Sequence, residues 1–209
     1  MTDGWLVEMK GFAIVVVAAL SLCALGEGDD GLAALSFKAA YSGGKLSDAF
    51  SSIFYAGDGV VLAGKRSNTA GHRIYRSTDH GRSWTTTPEP SGYSGAHVYF
   101  FGMNNKTKVI MTGTGDTGNP CLLRSKDMGK TWSVVLSPSK AKSLAGCDPG
   151  AIFSPLWLGG THWIACLRNT AGGASHIIES NDDGSSWSSV KTTGLHAGCR
   201  RMIYVCPPL

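Results

Sequence analysis

Short apolar runs recur along most of the chain, separated by stretches rich in Gly, Ser, Thr, Asn and Asp. Brief β-prone runs bounded by turn residues are typical of antiparallel strands joined by tight turns. The runs fall into three sets, and each set ends in two apolar residues followed by a charged one: Ile74–Arg76, Leu122–Arg124 and Ile177–Glu179. Two earlier runs precede each of these: Ile53–Tyr55 and Val60–Ala63, Val98–Phe101 and Val109–Thr112, Ala151–Phe153 and Trp163–Cys166. The pattern predicts a repeated meander of about four short strands.

An octapeptide follows the last of these runs in every set, and its first residues lie 48 and 55 residues apart. The copies align without gaps as Ser-Thr-Asp-His-Gly-Arg-Ser-Trp, Ser-Lys-Asp-Met-Gly-Lys-Thr-Trp and Ser-Asn-Asp-Asp-Gly-Ser-Ser-Trp. Gly allows a positive φ, Asp accepts backbone N–H groups across the turn, and Trp fills an apolar slot beneath it. We therefore predict structural hairpin turns, not catalysis, for Ser77, Asp79, Gly81, Trp84, Ser125, Asp127, Gly129, Trp132, Ser180, Asp182, Gly184 and Trp187.

The octapeptide resembles the Asp box, or BNR repeat, of sialidases and other Asp-box β-propellers. The chain is similar to the N-terminal half of a sialidase or trans-sialidase catalytic domain. This resemblance implies an all-β fold of propeller-type blades, each a four-stranded antiparallel sheet, in a partial propeller of about three blades plus the first strand of a fourth. The expected domain spans residues 46–209, with repeats at about 46–91, 92–143, 144–192 and a partial repeat at 193–209.

The resemblance also identifies the chemistry to look for. Sialidases bind the substrate carboxylate with three arginines, and they use an Asp acid/base and a Tyr nucleophile that a Glu activates. Ser51 stands at the position of the first-strand arginine, and Gly64 stands at that of the acid. Residues 146–151 resemble the family's Gly-Cys-x-Glu-Pro-Ala motif, which places Asp148 at the activating Glu and Arg168 at a triad arginine. Asp148 and Arg168 are therefore only vestigial catalytic candidates. Because the acid and a first-strand arginine are missing, we expect hydrolysis to be negligible.

Several interpretations of function stay open at this point. The leading one is a non-catalytic sialidase-like protein that binds a glycan, sialylated or otherwise anionic, or a protein partner, or that serves as a structural subunit. Its candidate ligand-binding residues are Arg66, Arg168, Arg200 and Arg201. The alternative is an exo-sialidase-like glycoside hydrolase, in which Asp148 and Arg168 keep a role. A purely structural interpretation instead makes Asp148 the start of a turn and Arg168 a solvated strand end. The scattered histidines form no ligand pattern, so we expect neither a metal nor another cofactor.

The N-terminal region has the pattern of a targeting segment. A 14-residue apolar stretch from Phe12 to Leu25 follows Lys10, fits a secretory hydrophobic region and is short for a membrane span. Ala24 and Gly26 are small residues at the positions that cleavage requires. We therefore expect residues 1–26 to be a signal peptide or N-terminal hydrophobic anchor, residues 27–45 to be a lead-in, and the protein to be secreted or at the cell surface.

An exported chain makes its cysteines and sequons informative. Cys147 and Cys199 each follow Ala-Gly at equivalent positions of successive repeats, so we predict a disulfide between them. Asn105 begins an Asn-Lys-Thr sequon in a predicted turn and is a candidate glycosylation site.

Composition and length narrow the picture further. The net charge of +4 comes from basic residues spread in ones and twos, which does not favour nucleic acid as a partner. The 28 glycines among 209 residues suit a turn-rich β protein. Propellers typically close with four to eight blades, so about three blades leave open sheet edges. We expect these edges to be completed by another copy, by a partner or by residues 32–41, unless the chain is a truncated relative of a longer protein.

Overall fold

The computed structural model describes residues 49–66, 74–91, 93, 97–115, 119–169 and 175–190. The expected signal peptide, the lead-in and the first strand of a fourth blade lie outside these residues. The described elements are β1 (Ala49–Gly57), β2 (Val60–Arg66), β3 (Ile74–Ser77), β4 (Thr85–Thr86), β5 (His97–Met103), β6 (Ile110–Gly115), β7 (Leu122–Ser125), β8 (Ser133–Leu136), α1 (Pro138–Ala145), β9 (Pro149–Gly159), β10 (His162–Asn169), β11 (His176–Ser180) and β12 (Ser188–Ser189).

The strands form three antiparallel meanders of four. Blade 1 is the sheet β1-β2-β3-β4, blade 2 comprises β5 to β8, and blade 3 comprises β9 to β12. Blades 2 and 3 join into one eight-stranded sheet through a single pairing of β6 with β9, at Gly115 and Ala151. The predicted all-β fold of four-stranded propeller-type blades is confirmed.

The register places two different features at opposite ends of each blade. In blade 1, Ser77 at the end of β3 pairs with Val61 near the start of β2. Arg66 at the end of β2 pairs instead with Ala49 at the start of β1. We call the end that carries the octapeptides the turn end, and the end where β2, β6 and β10 finish the loop end.

A hydrogen-bond network closes every octapeptide turn. In the first turn, the Asp79 carboxylate accepts the Ser83 N–H at 2.8 Å and the Ser83 hydroxyl at 2.6 Å, while the Ser77 hydroxyl donates to it at 2.7 Å. Ser77 Oγ also accepts the N–H of Gly81 at 2.8 Å. The same contacts recur around Asp127 and Asp182, with hydroxyl-to-carboxylate distances of 2.6 Å in both. Each turn is therefore fixed by its own side chains.

Both the fourth and the fifth residue of each turn have a left-handed backbone. Gly81, Gly129 and Gly184 have φ values of 86, 78 and 81°. The residue before each glycine also has a positive φ: 61° at His80, 58° at Met128 and 56° at Asp183. Consecutive left-handed residues make a tight turn whose twist matches that of the flanking strands.

Two hydrophobic clusters fill the spaces between blades. The cluster between blades 1 and 2 includes Leu62, Val98, Ile110, Leu123 and Trp132. The cluster between blades 2 and 3 includes Met111, Leu122, Ile152, Trp163 and Trp187. Each cluster therefore contains the octapeptide Trp of the later blade, so this ring packs against the blade that precedes its own.

Glycines on the second strands allow the next blade to come close. A Cβ atom at Gly113 would overlap the carbonyl oxygen of Ile152, and one at Gly64 would lie 2.9 Å from the carbonyl oxygen of Val98. Any side chain at either position would push the neighbouring blades apart.

Helix α1 joins blade 2 to blade 3 and is not predicted by the repeat pattern. The Ser137 side chain caps its N-terminus by accepting the N–H of Lys140, and Pro occupies the first turn. Gly146, at φ 64°, ends the helix and donates its N–H to the carbonyl of Lys142. No helix in the described part of the chain has the length and apolar character needed to cross a membrane.

Candidate functional site

Three aromatic rings and a guanidinium form a continuous row at the loop end of blades 2 and 3. His97 lies edge-on to Tyr99 with ring centroids 6.1 Å apart, and Tyr99 lies 4.4 Å from Phe153. The Arg168 guanidinium carbon sits 5.5 Å from the centroid of the Phe153 ring. We call these four residues the Arg168 row.

Strand periodicity and register bring the row together. His97 and Tyr99 are two residues apart on β5 and so share a face of the strand. On β9 and β10, Phe153 pairs with Cys166, and Arg168 lies two residues further along β10. This diagonal offset lets the long arginine side chain reach back over the ring.

The row combines a buried base with an accessible rim. Phe153 and His97 are buried, whereas Tyr99 and Arg168 are half-buried. A guanidinium over an aromatic face is held by the cation–π attraction, and its planar set of N–H groups suits a carboxylate. The arrangement is chemically able to hold an anionic group beside a ring-shaped one.

Asp148 lies at the loop end as well, on the chain just before β9. Its carboxylate contacts the Lys142 ammonium of α1 at 2.6 Å, and the two side chains are 79% and 60% exposed. An exposed acid paired with a lysine lacks the burial that favours activation of a nucleophile, and its partner among the described residues is Lys142, not a tyrosine.

Ser51 and Gly64, the positions that correspond to a missing arginine and a missing acid, both serve packing. The Ser51 hydroxyl donates to the carbonyl oxygens of Gly64, at 3.1 Å, and of Val98. Ser51 thus fastens β1 to its neighbours, and the close approach at Gly64 leaves no space for a carboxylate.

Two of the four candidate arginines occupy equivalent places in their blades. Gly64 pairs with Ile74 and Cys166 pairs with Ile177, and both partners lie three residues before the octapeptide serine. Arg66 and Arg168 each follow two residues later, at the loop end. The side chain of Arg66, and all of Arg200 and Arg201, lie outside what the structure describes, so the structure assigns only Arg168 to the row.

The acidic residues of the octapeptides lie at the opposite end of the blades. Hydrogen bonds from Ser83 and Ser77 hold the pKa of Asp79 well below its usual range. Hydrogen bonds from Ser186 and Ser180 lower the pKa of Asp182 to about 2. For Asp127, burial raises the pKa, but the hydrogen bonds from Thr131 and Ser125 outweigh it and the pKa is lowered. These ionised carboxylates are poor proton donors, and they are remote from the Arg168 row.

The two modification candidates lie at different ends of the blades, Cys147 beside Asp148 at the loop end and Asn105 after β5 at the turn end. Cys147 is not in a disulfide, and Cys199 lies outside the described residues, so the bridge between them stays a prediction. Asn105 is exposed in a turn, and Thr107 of its sequon donates a hydrogen bond to the Asp183 carboxylate at 2.9 Å. Among the described residues, no three His, Cys, Asp or Glu side chains are grouped so that they would hold a metal ion.

Comparisons with known proteins support the fold. No family model matches the chain, and no curated protein does. An ancestral GH74 enzyme matches 68% of this chain with 19% identity and a TM-score of 0.50. A GH74 xyloglucanase from Xanthomonas campestris (16% identity, 63% of this chain, TM-score 0.45) and the NanB sialidase from Streptococcus pneumoniae (16%, 68%, 0.38) also match. The chain spans 18%, 19% and 20% of these three structures, respectively. The likeness to the ancestral GH74 enzyme therefore supports the fold of the described blades, within a much longer chain.

Proposed function

We propose that this chain is a non-catalytic, sialidase-like Asp-box protein that binds an anionic glycan at the Arg168 row. The observation that supports the proposal is the placement of the Arg168 guanidinium over Phe153, beside the half-buried ring of Tyr99. The expected setting is outside the cell, where such glycans occur.

The chemistry of the row favours a sugar acid over a neutral sugar. A guanidinium is permanently charged, and its parallel N–H groups match the two oxygens of a carboxylate. The neighbouring Tyr99 ring offers an aromatic face and a hydroxyl to the rest of the sugar. We therefore expect the guanidinium contact and the stacking contact each to contribute about 2 kcal/mol, which the cost of association offsets in part.

The absence of turnover follows from the side chains at the catalytic positions. Gly64 supplies no acid, Ser51 supplies no guanidinium, and the Asp148 carboxylate is exposed and paired with Lys142. Functions that act as a unit are lost together when several members are missing. Binding can survive without them because it needs only the row itself.

A second candidate, an exo-sialidase-like hydrolase, is favoured by one observation. Asp148 directly precedes Pro149, which pairs with Asn169, the residue after Arg168. Two residues that match the sialidase pattern are therefore close along the same end of blade 3. Incubation with a fluorogenic sialoside tests this candidate, and turnover that Arg168→Ala abolishes would replace our proposal with it.

A glycan array separates glycan binding from protein binding. We expect the full chain to bind immobilised acidic glycans more strongly than their neutral analogues. Arg168→Ala should lose this signal, whereas Lys130→Ala, which removes an exposed cation at the turn end, should keep it. If the chain bound no glycan, or bound acidic and neutral glycans equally, the proposal would be refuted. A protein ligand would then remain as the explanation for the row.

A further inference from the structure

An arginine of each earlier blade binds the octapeptide turn of the next. Arg76 in blade 1 donates from Nε to the carbonyl oxygen of Met128 at 2.8 Å. Arg124 in blade 2 donates from Nη1 to the carbonyl oxygen of Asp183 at 3.1 Å and to the hydroxyl of Ser185 at 3.0 Å. In both cases the acceptor is the carbonyl oxygen of the fourth residue of the turn. In the third octapeptide, the hydroxyl of the sixth residue accepts as well. Successive blades are therefore joined by one repeated contact.

An apolar residue accompanies each arginine. Leu62 pairs with Arg76 across β2 and β3, and Met111 pairs with Arg124 across β6 and β7. A Cβ atom at Gly129 would lie 2.5 Å from a Leu62 methyl group. A Cβ atom at Gly184 would likewise overlap the methyl group of Met111. The fifth residue of each turn thus rests on the apolar member, and we call the two residues together a docking pair.

Blade 3 carries a docking pair with its charge inverted. By the same register, Ile164 on β10 pairs with Glu179 on β11. Glu179 is half-buried and lies 3.4 Å from Nε2 of His162 in its own blade. A carboxylate accepts hydrogen bonds and donates none, so this pair requires a turn that presents a donor or a cation. The described part of the chain contains no fourth octapeptide turn to occupy it.

The first octapeptide turn has fewer described contacts, although Gly81 itself is buried. A Cβ atom at Gly81 would meet only Trp84 of its own turn among the described residues. Trp84 is half-buried, whereas Trp132 and Trp187 are 7% and 6% exposed beneath their docking blades. On β1 of the same blade, Ile53 and Tyr55 are 43% and 57% exposed. Within the described part of the chain, these side chains of blade 1 are therefore left partly accessible.

The charges of the two edges match. The fourth and sixth residues of the first turn are His80 and Arg82, and both are exposed. Arg82 is the sixth residue of its turn, as Ser185 is of the third turn. Ser185 accepts a hydrogen bond from Arg124 of the preceding blade. A first turn seated on Ile164 would therefore bring the Arg82 guanidinium to Glu179.

We propose that two copies of this chain assemble head to tail, each placing its first octapeptide turn on Ile164 and Glu179 of the other. The three described blades of two copies would make six around a common two-fold axis, within the typical range of four to eight for closed propellers. The two contacts in the ring are identical, and each uses the turn geometry already present twice within the chain. This assembly does not depend on the glycan proposal, since the docking pair receives an octapeptide at the turn end and the Arg168 row lies at the loop end.

Light scattering and sedimentation of the full 209-residue chain test the assembly. We expect a dimer, and we expect Arg82→Glu to raise its dissociation constant by more than about tenfold because two like charges then meet at each contact. Lys130→Glu is the matched control, since it reverses the charge of the exposed sixth residue in the second turn and should leave the dimer intact.

The double variant Arg82→Glu with Glu179→Arg restores opposite charges and should restore the dimer. Recovery in the double variant also shows that Arg82→Glu alone did not simply misfold. A monomer at every concentration of the unaltered chain would overturn the proposal, as would a dimer that Arg82→Glu does not weaken or that the double variant does not recover.

Discussion

The guanidinium of Arg124 in blade 2 donates a 3.1 Å hydrogen bond to the main-chain carbonyl of Asp183 in blade 3. The Asp183 carboxylate is bound from the same neighbourhood by Trp163 Nε1 at 2.7 Å and by Asn104 Nδ2 at 3.1 Å. Asn104 belongs to blade 2 and Trp163 to blade 3, so one turn residue links both blades through its main chain and its side chain.

Removing the Arg124 guanidinium should loosen this junction. Arg124→Met keeps the apolar stem but loses the donors to Asp183 and Ser185, and we expect the free energy of unfolding to fall by about 1 to 3 kcal/mol. Urea denaturation measures the change. Lys126→Met, an exposed neighbour one residue beyond β7, is the control and should change stability by less than about 0.5 kcal/mol. Equal effects of the two substitutions would show that the arginine contact contributes nothing.

The Asp183 carboxylate should matter at least as much. Asp183→Ala leaves Trp163 Nε1 without its acceptor, which costs about 1 to 3 kcal/mol, and leaves Asn104 Nδ2 with the Gly160 carbonyl alone. Asp183→Asn keeps one acceptor oxygen and tolerates the left-handed backbone, so its loss should be clearly smaller. Thermal unfolding of the two variants gives the comparison, and an Asn variant as unstable as the Ala variant would contradict this account of the network.

Gly113 should tolerate no side chain. Gly113→Ala would press a methyl group into the Ile152 carbonyl of blade 3, and we expect a loss at or above the upper end of the 1 to 3 kcal/mol range that is typical of overpacking. Gly146→Ala is the matched control, because open space surrounds that position and only its left-handed φ is strained, at about 1 kcal/mol. Chemical denaturation of both variants distinguishes steric contact from backbone strain. If Gly113→Ala were the milder change, the close approach of blades 2 and 3 would be wrong.

The octapeptide aspartates should make stability depend on acid. The pKa of Asp182 in the folded chain is about 2, below its ordinary value of 3.8, so the stabilisation is present above about pH 4 and is lost as the pH falls towards 2. Asp79 and Asp127 have lowered pKa values and act in the same direction. Asp182→Asn should be less stable than the unaltered chain at pH 6, and the difference should shrink as the pH falls through 2. Unfolding measured across this range would contradict the prediction if the difference stayed constant.

Sequence alone predicts the elements whose determinants are local. The Ser, Asp and Gly of each octapeptide bond to one another within five residues, so the turns and the strands that flank them can be inferred without knowing what packs against them. Helix α1 also had a local signal, in Ser137 before Pro138 and in Gly146 at its end. The repeat pattern obscured that signal because only the third repeat contains the insertion.

The contacts between blades are not predictable in the same way. Arg76 and Arg124 are visible as the charged residues before each octapeptide, but their partners lie 52 and 59 residues away in sequence. The Arg168 row likewise depends on the diagonal register of β9 and β10 and on Tyr99 from a different blade. Sequence indicated Arg168 through its place in the repeat, whereas its aromatic support required the packed structure.

Saturation-transfer NMR of a sialyl-lactose mixed with the full chain distinguishes a glycan-binding protein from a hydrolase, because one sample reports both binding and hydrolysis. We predict transfer of saturation to the sugar-acid protons, no release of free sialic acid, and loss of the transfer in Arg168→Ala but not in Lys130→Ala. Signals of free sialic acid that appear with the unaltered chain, or transfer that survives in Arg168→Ala, would contradict the account.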